Sequence, residues 1–436
     1  MLTEGLGTVV IDIKLIRAEP ERFVEVARVK HIDADIPALL AADAKLLDVQ
    51  RQLQEARTRQ NEAGRQIARL KGAEKAEAVA AMKTLKSRLR ELEDQVDQLD
   101  PKVRELMLLV PQPPAPGVPV GKDDTENVEL RKVGEIPEFD FELKDHVQLG
   151  EALDIVDIPR GVKLAGTRNF ALNGPGALLH QAVLKLAVDR MIAKGYQMLT
   201  VPMLVKEEVM YGTGFFPIGR DQTYLTERDN LGLAGTAEVS LTAYHGDEIL
   251  DAADLPQKYV AVSTCFRREA GAAGKDTYGL YRVHYFDKVE QVIISENDEQ
   301  ASLAYHQEIL ANAEEVVQAL ELPYRVVNVC TGDLGQGQVQ KFDIETWMPS
   351  RNSYGETHSA SRFHDFQARR LNMRYQDDRG RLRFCHTLNN TVIASPRILI
   401  PLLELYQNAD GSVTVPKVLR PYMNGLKKIA SKVQAT

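Results

Sequence analysis

The stretch CFRREAGAAGKDTYGLYRVHYFDKVE, residues 265–290, sets two adjacent arginines and a glutamate before a run of small residues, then resumes with apolar and charged side chains in near alternation. Its flanks, AVSTCFRRE and YRVHYFDKVEQV, read as two strands joined by the glycine-containing AGAAGKDTYGL. Period-two alternation places Arg267 and Glu269 on one face of the first strand, and Arg282, His284, Phe286, Lys288 and Glu290 on matching faces of the second. A face so dense in charge is either the solvated side of an antiparallel sheet or the floor of a site for a charged ligand. The loop favours the second reading: a solvated hairpin has no use for a long mobile connection, whereas a lid over a polyanion does.

Around this stretch the helical pattern GALLHQAVLKLAVDRMIAKGY is interspersed with strand-like runs: YQMLTVPML, KYVAVSTCFRRE, YRVHYFDKVEQVII, YRVVNV, KFDIETWM and LRFCHTLNNTVI. Loops of uneven length and the lack of regular strand-helix-strand alternation predict an α+β domain, an antiparallel sheet flanked by helices. Neither GxxxxGK[ST] nor a strand-helix GxGxxG occurs, so a nucleotide site here is of another kind.

The N-terminal part is built differently. After an extended start and a short helix following Pro20, apolar residues fall on a heptad: Leu39, Leu46, Leu53 and Ile67 in one column, Val49, Ala56, Ala63 and Leu70 three places on, with Gln60 the polar exception. A second run, Met82, Leu85, Leu89, Leu92, Val96, Leu99, Val103, Leu106 and Val110, alternates steps of three and four, and KGAEKAE between them holds the glycine of a reversal. The two runs predict an antiparallel helical hairpin over about 39–110, each helix roughly 45 to 50 Å long, too long for a face of a compact core and so a projecting arm. Pro101 predicts a kink or restart in the second helix. Arg57, Arg59, Arg65, Arg69, Lys71 and Lys75 surround the reversal, with Glu91, Glu93, Asp94 and Asp97 toward the base. That distribution suits either a solvated coiled-coil surface or a lever lying along a nucleic-acid backbone.

The proline-rich VPQPPAPGVPVGKDDTENVE cannot continue a helix and reads as a stiff linker. The expected organisation is therefore an N-terminal domain over 1–110, a linker over 111–129 and a large domain over 130–436. With 436 residues, 44% hydrophobic content and a net charge of -8, the chain is a multi-domain protein that does not coat nucleic acid indiscriminately. No apolar run of about eighteen residues and no secretory signal pattern occurs, so the expected location is the cytoplasm, without membrane contact. The three cysteines, Cys265, Cys330 and Cys385, are too far apart for a paired metal motif and read as reduced thiols. His284, His358 and His386, scattered over strands, read as hydrogen-bonded structural histidines rather than metal ligands.

Residues 265–290 resemble motif 2 of the class II aminoacyl-tRNA synthetases, in the form found in the seryl-tRNA synthetase family. Further segments resemble that family in the expected order: VPMLVKEEVMYGTGFFP as motif 1, GTAEVSLTAYH at 235–245, LPYRVVNVCTGDLGQGQVQKFDIETWMP at 322–349, and HTLNNTVIASPRILIPLLELYQNADGSVTVPKVLRPYM at 386–423 as motif 3 and the chain end. The resemblance covers nearly the whole chain and implies a serine–tRNA ligase. Such an enzyme uses ATP to activate serine as an adenylate, then passes the seryl group to the 3′ end of serine tRNA, with selenocysteine tRNA a further candidate acceptor.

It also implies the site. Arg267, Arg282 and Arg397 would carry the catalysis, Arg267 on the α-phosphate and the attacking carboxylate, the other two on the rest of the triphosphate. Glu269 would face the adenine amino group, Phe286 and Arg397 would stack on the base, and Val283 would add backbone contacts. Arg268, Thr357 and His358 complete the expected ATP set, and Glu356 with Ser359 would hold Mg²⁺ on the phosphates. Thr236, Ala237, Glu238, Asn389, Glu290 and Thr391 would join Arg267 around serine, the last two reading its hydroxyl. Arg57, Arg65, Arg69 and Lys71 would grip the long variable arm of serine tRNA, and motif 1 would build a homodimer.

The sequence departs from the family's more familiar NGSG and AVGR at NNTV and ASPR, where Asn390 and Pro396 stand for glycines, and Tyr278 stands where an arginine is usual. Two other readings fit fewer of these residues. A paralogue passing the adenylate to a carrier would have little use for a basic arm, and a dead scaffold would have little use for Arg267, Glu269, Arg282, Glu290, Glu356 and Arg397 together.

Overall fold

The computed structural model describes residues 11–271, 274 and 276–431. Residues 1–10 of the extended start expected before Pro20, and the part of the lid reading that rests on 272, 273 and 275, lie outside the described residues. The described part of that start is not extended: Ile13–Ala18 is a short helix, capped by Asp12, which accepts from the Lys14 amide at 2.9 Å. The chain divides into two compact units, with the boundary between Pro111 and Gln112.

In the first unit Pro20 opens the helix Pro20–Val29, a position where its missing N–H removes no helical bond. Two long helices follow, α1 (Ile36–Ile67) and α2 (Gly72–Leu109). Asp35 caps the first by accepting from the Ala38 amide at 2.8 Å, and Gly72 takes the left-handed φ of 63° at the reversal. The seam forms where the heptads place it: Val49, Leu53 and Ala56 pack on Leu89 and Leu92, with Leu85, Val96 and Leu99 at the margin. Toward the reversal Ala63 and Ile67 are only half-buried, and Arg57, Arg65, Arg69 and Lys71 are exposed. Arg57 crosses the hairpin to Glu93 at 2.9 Å, an exposed ion pair of small energetic weight. The restart expected at Pro101 does not occur, because α2 runs through it; the Asp100–Arg104 ion pair at 2.8 Å spans the turn from which the proline withholds its amide.

The second unit is organised by an eight-stranded sheet. Its strands are β1 (Val128–Val133), β2 (Gln197–Met198), β3 (Gln257–Phe266), β4 (Tyr285–Ser295), β5 (Tyr324–Asn328), β6 (Gln340–Met348), β7 (Ser353–His364) and β8 (His386–Ser395), in the order β1-β5-β6-β7-β8-β4-β3-β2. Every neighbouring pair is antiparallel except the edge pair β2·β3, which is parallel. The proline-rich stretch, expected as a spacer, is tied to this unit: the Gln112 amide donates to the Gln336 carbonyl at 2.9 Å and the Ala115 amide to Val339 at 2.8 Å.

The faces of the sheet differ in kind. Val289 and Ile293 of β4, Leu388 and Ile393 of β8 and Phe342 and Ile344 of β6 point to one side, where helices α3 (Pro175–Ala193) and α4 (Glu299–Ala319) complete the main core. The intervening positions face the other way. Their lower end is closed by Leu241 of the helix Glu238–Thr242 and Ala237 just before it, together with Ala368 and Met373, and their upper end remains polar.

Strand ends differ from the sequence expectation where the backbone finds other partners. β3 stops at Phe266 and β4 starts at Tyr285, so Arg267, Glu269, Arg282 and His284 stand beyond the strands on which alternation placed them. The Arg268 amide bonds to the Gln222 carbonyl at 2.9 Å and Glu269 adopts a left-handed φ of 52°, which ends the extended run. YQMLTVPML contributes only Gln197–Met198 to the large sheet, Leu204–Lys206 joining a separate three-stranded one, and LRFCHTLNNTVI divides between Leu382–Phe384 and β8.

Asn390 faces the helix side, where its side-chain amide donates to the Ile309 carbonyl of α4 at 2.6 Å beside Gln291, which donates to the same oxygen at 2.9 Å. The residue standing for a glycine thus clamps sheet to helix and leaves the polar face clear. Asn390→Ala should lower the stability of the second unit by about 1–3 kcal/mol, the scale of removing a buried hydrogen bond together with its packing. Urea melts followed by tyrosine fluorescence would check it, and an unchanged midpoint would show the clamp to be inert.

Candidate functional site

The polar face opens into a cleft of about 500 Å³. Of the residues singled out in the sequence, Arg267, Glu269, Val283, Phe286, Glu356, Thr357, Thr391 and Arg397 line it. Two one-residue irregularities in register make that possible. In β7, Ile344 pairs with His358 but Glu345 pairs with Glu356, so Thr357 is an inserted residue. Asp343 and Glu345 are two apart on an unbroken strand, hence their partners Ser359 and Glu356 share one face although three apart, while His358 turns into the sheet's other side. In β8, Val289 pairs with Ile393 but Glu290 with Thr391, which brings Thr391 and Ala394 onto the face of Phe286, Lys288 and Glu290 in the same way.

Cations dominate the upper cleft. The Arg267 guanidinium lies 5.0 Å from the centre of the Phe286 ring. Arg397 donates from Nε to the Tyr281 carbonyl and from Nη1 to the Glu356 carbonyl, both at 3.0 Å, and rests 4.3 Å over the Tyr281 ring. Phe286 and Arg397, expected on the two sides of a base, thus both line the cleft, with Arg267 over the former. Arg282 pairs with Glu269 at 2.8 Å and lines an adjoining cavity with Arg267 and Glu269. Arg268 is turned away, its Nη1 donating to the Asp221 carbonyl at 3.1 Å.

Below the cleft lie buried carboxylates. Glu290 is ion-paired with Lys288 and hydrogen-bonded to Thr391. Burial pushes its pKa up, against the pull of Lys288 and Arg267. Glu238 accepts from Gln367 Nε2 at 2.9 Å, its own amide donates to Thr236 Oγ1 at 3.1 Å, and its side chain also meets Asn389. Burial, reinforced by the charge of Glu290, raises the Glu238 carboxyl to about 7. Ala237 is fully buried beneath it in the small core. A pair of buried acceptors next to an arginine suits a small zwitterion bearing an ammonium and a hydroxyl.

Glu356, whose surface is exposed, is held below the usual carboxylate range: the crowding of protein around it pushes it up, but Arg397, Lys341, Arg267 and Lys288 together outweigh that. Ser359, on the same face, is hydrogen-bonded to Asp343, whose carboxyl is raised by burial despite Lys341, with Glu356 adding to the rise. The set is hard oxygen only, and it offers few protein ligands, which suits Mg²⁺ that keeps several waters and phosphate oxygens. The histidines are engaged otherwise: His284 Nδ1 meets the Arg267 carbonyl at 3.0 Å, His358 Nδ1 meets Thr357 Oγ1 at 2.8 Å, and His386 stacks on His364 with centroids 4.9 Å apart. Cys265, Cys330 and Cys385 are buried free thiols.

The cleft also holds Leu280, Tyr281 and Ala394, to which the sequence points in no way, and Lys288 and Pro396, which the sequence places on the charged face and in motif 3 without a ligand contact. Lys288 was within reach, since it alternates with Phe286 and Glu290. Tyr281 precedes β4, where no periodicity points to it. Tyr278 donates to Asp145 at 3.0 Å, and the neighbouring Leu280 amide donates to His146 Nε2 at 3.2 Å, so the end of the loop is anchored on the body of the unit.

A polar antiparallel sheet carrying this cleft is the core of a class II aminoacyl-tRNA synthetase. The model of the tRNA synthetase class II core domain (G, H, P, S and T) matches residues 224–406, and that of the seryl-tRNA synthetase N-terminal domain matches residues 10–114. The chain is 43% identical over 424 residues to the serine–tRNA ligase of Deinococcus radiodurans, spanning 97% of this chain and 100% of that one. It is 45% identical over 427 residues to that of Thermosipho melanesiensis, spanning 96% and 100%. Its structure matches a seryl-tRNA synthetase from Pyrococcus horikoshii, solved complexed with ATP, with a TM-score of 0.90 at 38% identity over 97% of this chain and 99% of that one. The chain belongs to the seryl-tRNA synthetase family.

The Glu238 carboxyl yields a prediction that is independent of turnover. A carboxyl raised from 4.5 to about 7 keeps in the folded state a proton that the unfolded chain releases earlier, so stability is lost as pH rises through that window. Glu238→Gln, which cannot ionise and still accepts from Gln367, should be more stable than the parent by about 1–3 kcal/mol at pH 8, the gain shrinking toward zero near pH 4.5. Denaturant melts at the two pH values would check the sign, and equal melts at pH 8 would count against the raised carboxyl.

Proposed function

We propose that the cleft binds ATP with Mg²⁺, that the adjoining pocket binds serine, and that the chain joins them as seryl-adenylate before charging serine tRNA. The observation that carries this reading is the position of Arg267, which lines the nucleotide cleft and also acts electrostatically on Glu290 at the pocket floor. The serine carboxylate attacks the α-phosphorus, a phosphorus–oxygen bond forms, and the bond to pyrophosphate breaks. Arg267 stabilises the charge gathered between the two substrates, Arg282 and Arg397 hold the remaining phosphates, and Phe286 and Arg397 flank the adenine while Glu269 meets its amino group. Glu356 and Ser359 would hold Mg²⁺, which when bound would supply neutralisation of phosphate charge.

Glu238 and Thr236 receive the serine ammonium. Glu290 and Thr391 read its hydroxyl, a contact that alanine could not make. In the second step a hydroxyl of the terminal tRNA ribose attacks the seryl carbonyl and AMP leaves. The basic hairpin grips the long variable arm of serine tRNA, the segment 201–217 pairs two chains into a homodimer, and the work is cytoplasmic. None of the described helices is long and apolar enough to cross a membrane.

Serine-dependent exchange of pyrophosphate into ATP, run beside charging of serine tRNA, tests the whole reading. Exchange without charging would point to a paralogue with another acceptor, and neither activity would point to a scaffold. Arg267→Lys keeps a charge and gives up the planar two-pronged geometry, so exchange should fall at least about a hundredfold. A rate within tenfold of the parent would remove Arg267 from the reacting centre. Replacing 39–110 by a short glycine-serine link should leave exchange near the parent rate while charging collapses. At the tip, changing Arg57, Arg65, Arg69 and Lys71 to alanine should weaken tRNA binding and flatten its salt dependence. Unchanged affinity and slope would make the tip a solvated surface.

A further inference from the structure

Tyr281 lies at the wall between two cavities, the ATP cleft and a second one lined by Asp145, His146, Tyr278, Ser350 and Arg351. It is the residue on which two guanidiniums converge. Arg397 rests 4.3 Å from its ring centre and Arg351 4.1 Å from the same centre. The Tyr281 carbonyl also accepts from Arg397 Nε. Arg351 is held in turn, its Nη1 donating to Asp276 at 2.5 Å, and the other oxygen of Asp276 lies 4.0 Å from Arg282 Nε. The ring has room because its neighbour is Gly355: a Cβ there would stand 3.0 Å from Tyr281 Cε2.

A guanidinium donates only in its own plane. The direction in which Arg397 presents its remaining N–H groups to the cleft is therefore set by what fixes that plane. Two of its nitrogens are committed to backbone carbonyls, and its guanidinium carbon lies over the Tyr281 ring. Arg351 lies on the same ring from outside the cleft, and its pairing with Asp276 extends the support to the segment that carries Arg282. We infer that Tyr281 and Arg351 are positioning residues for nucleotide binding, a ring in the wall of the ATP cleft and a cation behind it that together fix the plane of Arg397. The inference rests on the reading of the cleft as the ATP site and extends it to residues that touch no assigned substrate atom.

The test compares Tyr281→Leu, Tyr281→Phe and Arg351→Gln in the full chain. Both Tyr281 variants keep the backbone carbonyl, so the difference between them isolates the ring. ATP binding by isothermal titration should weaken about five- to twentyfold in Tyr281→Leu and about three- to tenfold in Arg351→Gln, the range expected when a cation–aromatic interaction is removed from a partly desolvated site. Tyr281→Phe should bind ATP within about twofold of the parent. In pyrophosphate exchange the Leu variant should raise the KM for ATP by the same factor and leave the KM for serine within about twofold, a split that general loss of structure would not produce. Equal ATP affinity in Tyr281→Leu and the parent, or parallel loss of ATP and serine, would overturn the inference. A parent that binds ATP without serine-dependent exchange would defeat the assigned reaction while the titrations still decide the role of Tyr281; a parent that does not bind ATP would defeat both.

Discussion

A side chain in a strand can face only one way, and the second unit depends on how its central strands divide their residues between two sides. Val289 and Ile293 go to the helices, while Phe286, Lys288 and Glu290 go to the cleft, on one strand with strict alternation. The apolar side is closed by α3 and α4 and supplies the hydrophobic free energy that holds the sheet together. That burial supports a polar side whose charged groups would be unstable without it. Asn390 and Gln291 are polar residues on the helix side, and each donates its side-chain amide to the Ile309 carbonyl.

Two inserted residues then break alternation where the site needs it. Were Thr357 an ordinary ladder residue and not a bulge, Glu356 and Ser359, three apart, would face opposite ways, and the same holds for Thr391 and Ala394 across Val392. The candidate metal pair and the candidate hydroxyl reader are therefore consequences of bulges, one on each of the adjacent strands β7 and β8. Such bulges bring donors of neighbouring strands together without a loop, which keeps the donors on the rigid part of the fold.

The electrostatics follow from the same division. Cations gather above, where Arg397, Lys341, Arg267 and Lys288 outweigh the desolvation of Glu356 and hold its carboxyl below the usual range. Deeper in the pocket burial prevails, and Glu238 rises because the neighbouring carboxylate adds to desolvation. One cleft thus presents a positive upper wall and a pair of protonatable acceptors at its floor. The arrangement suits a polyanion beside a small zwitterion, and Arg267 is the group that both regions share.

The periodicities of the sequence determined the helical hairpin, its reversal at Gly72 and the two faces of β4, because helix and strand spacing are local properties of the chain. The charged residues near 267 and 282 could be recognised as a site from their density, and the ordered motifs identified the family. Tertiary structure alone decided where the strands end, since the Arg268 amide leaves the ladder for the Gln222 carbonyl, far away in the chain. It alone also decided that Tyr281 lines the cleft, that the proline-rich stretch is bound to the second unit, and that residues three apart in β7 and β8 share a face. These depend on register between strands, which is set by hydrogen bonds across the sheet and has no counterpart in the spacing of residues along one segment.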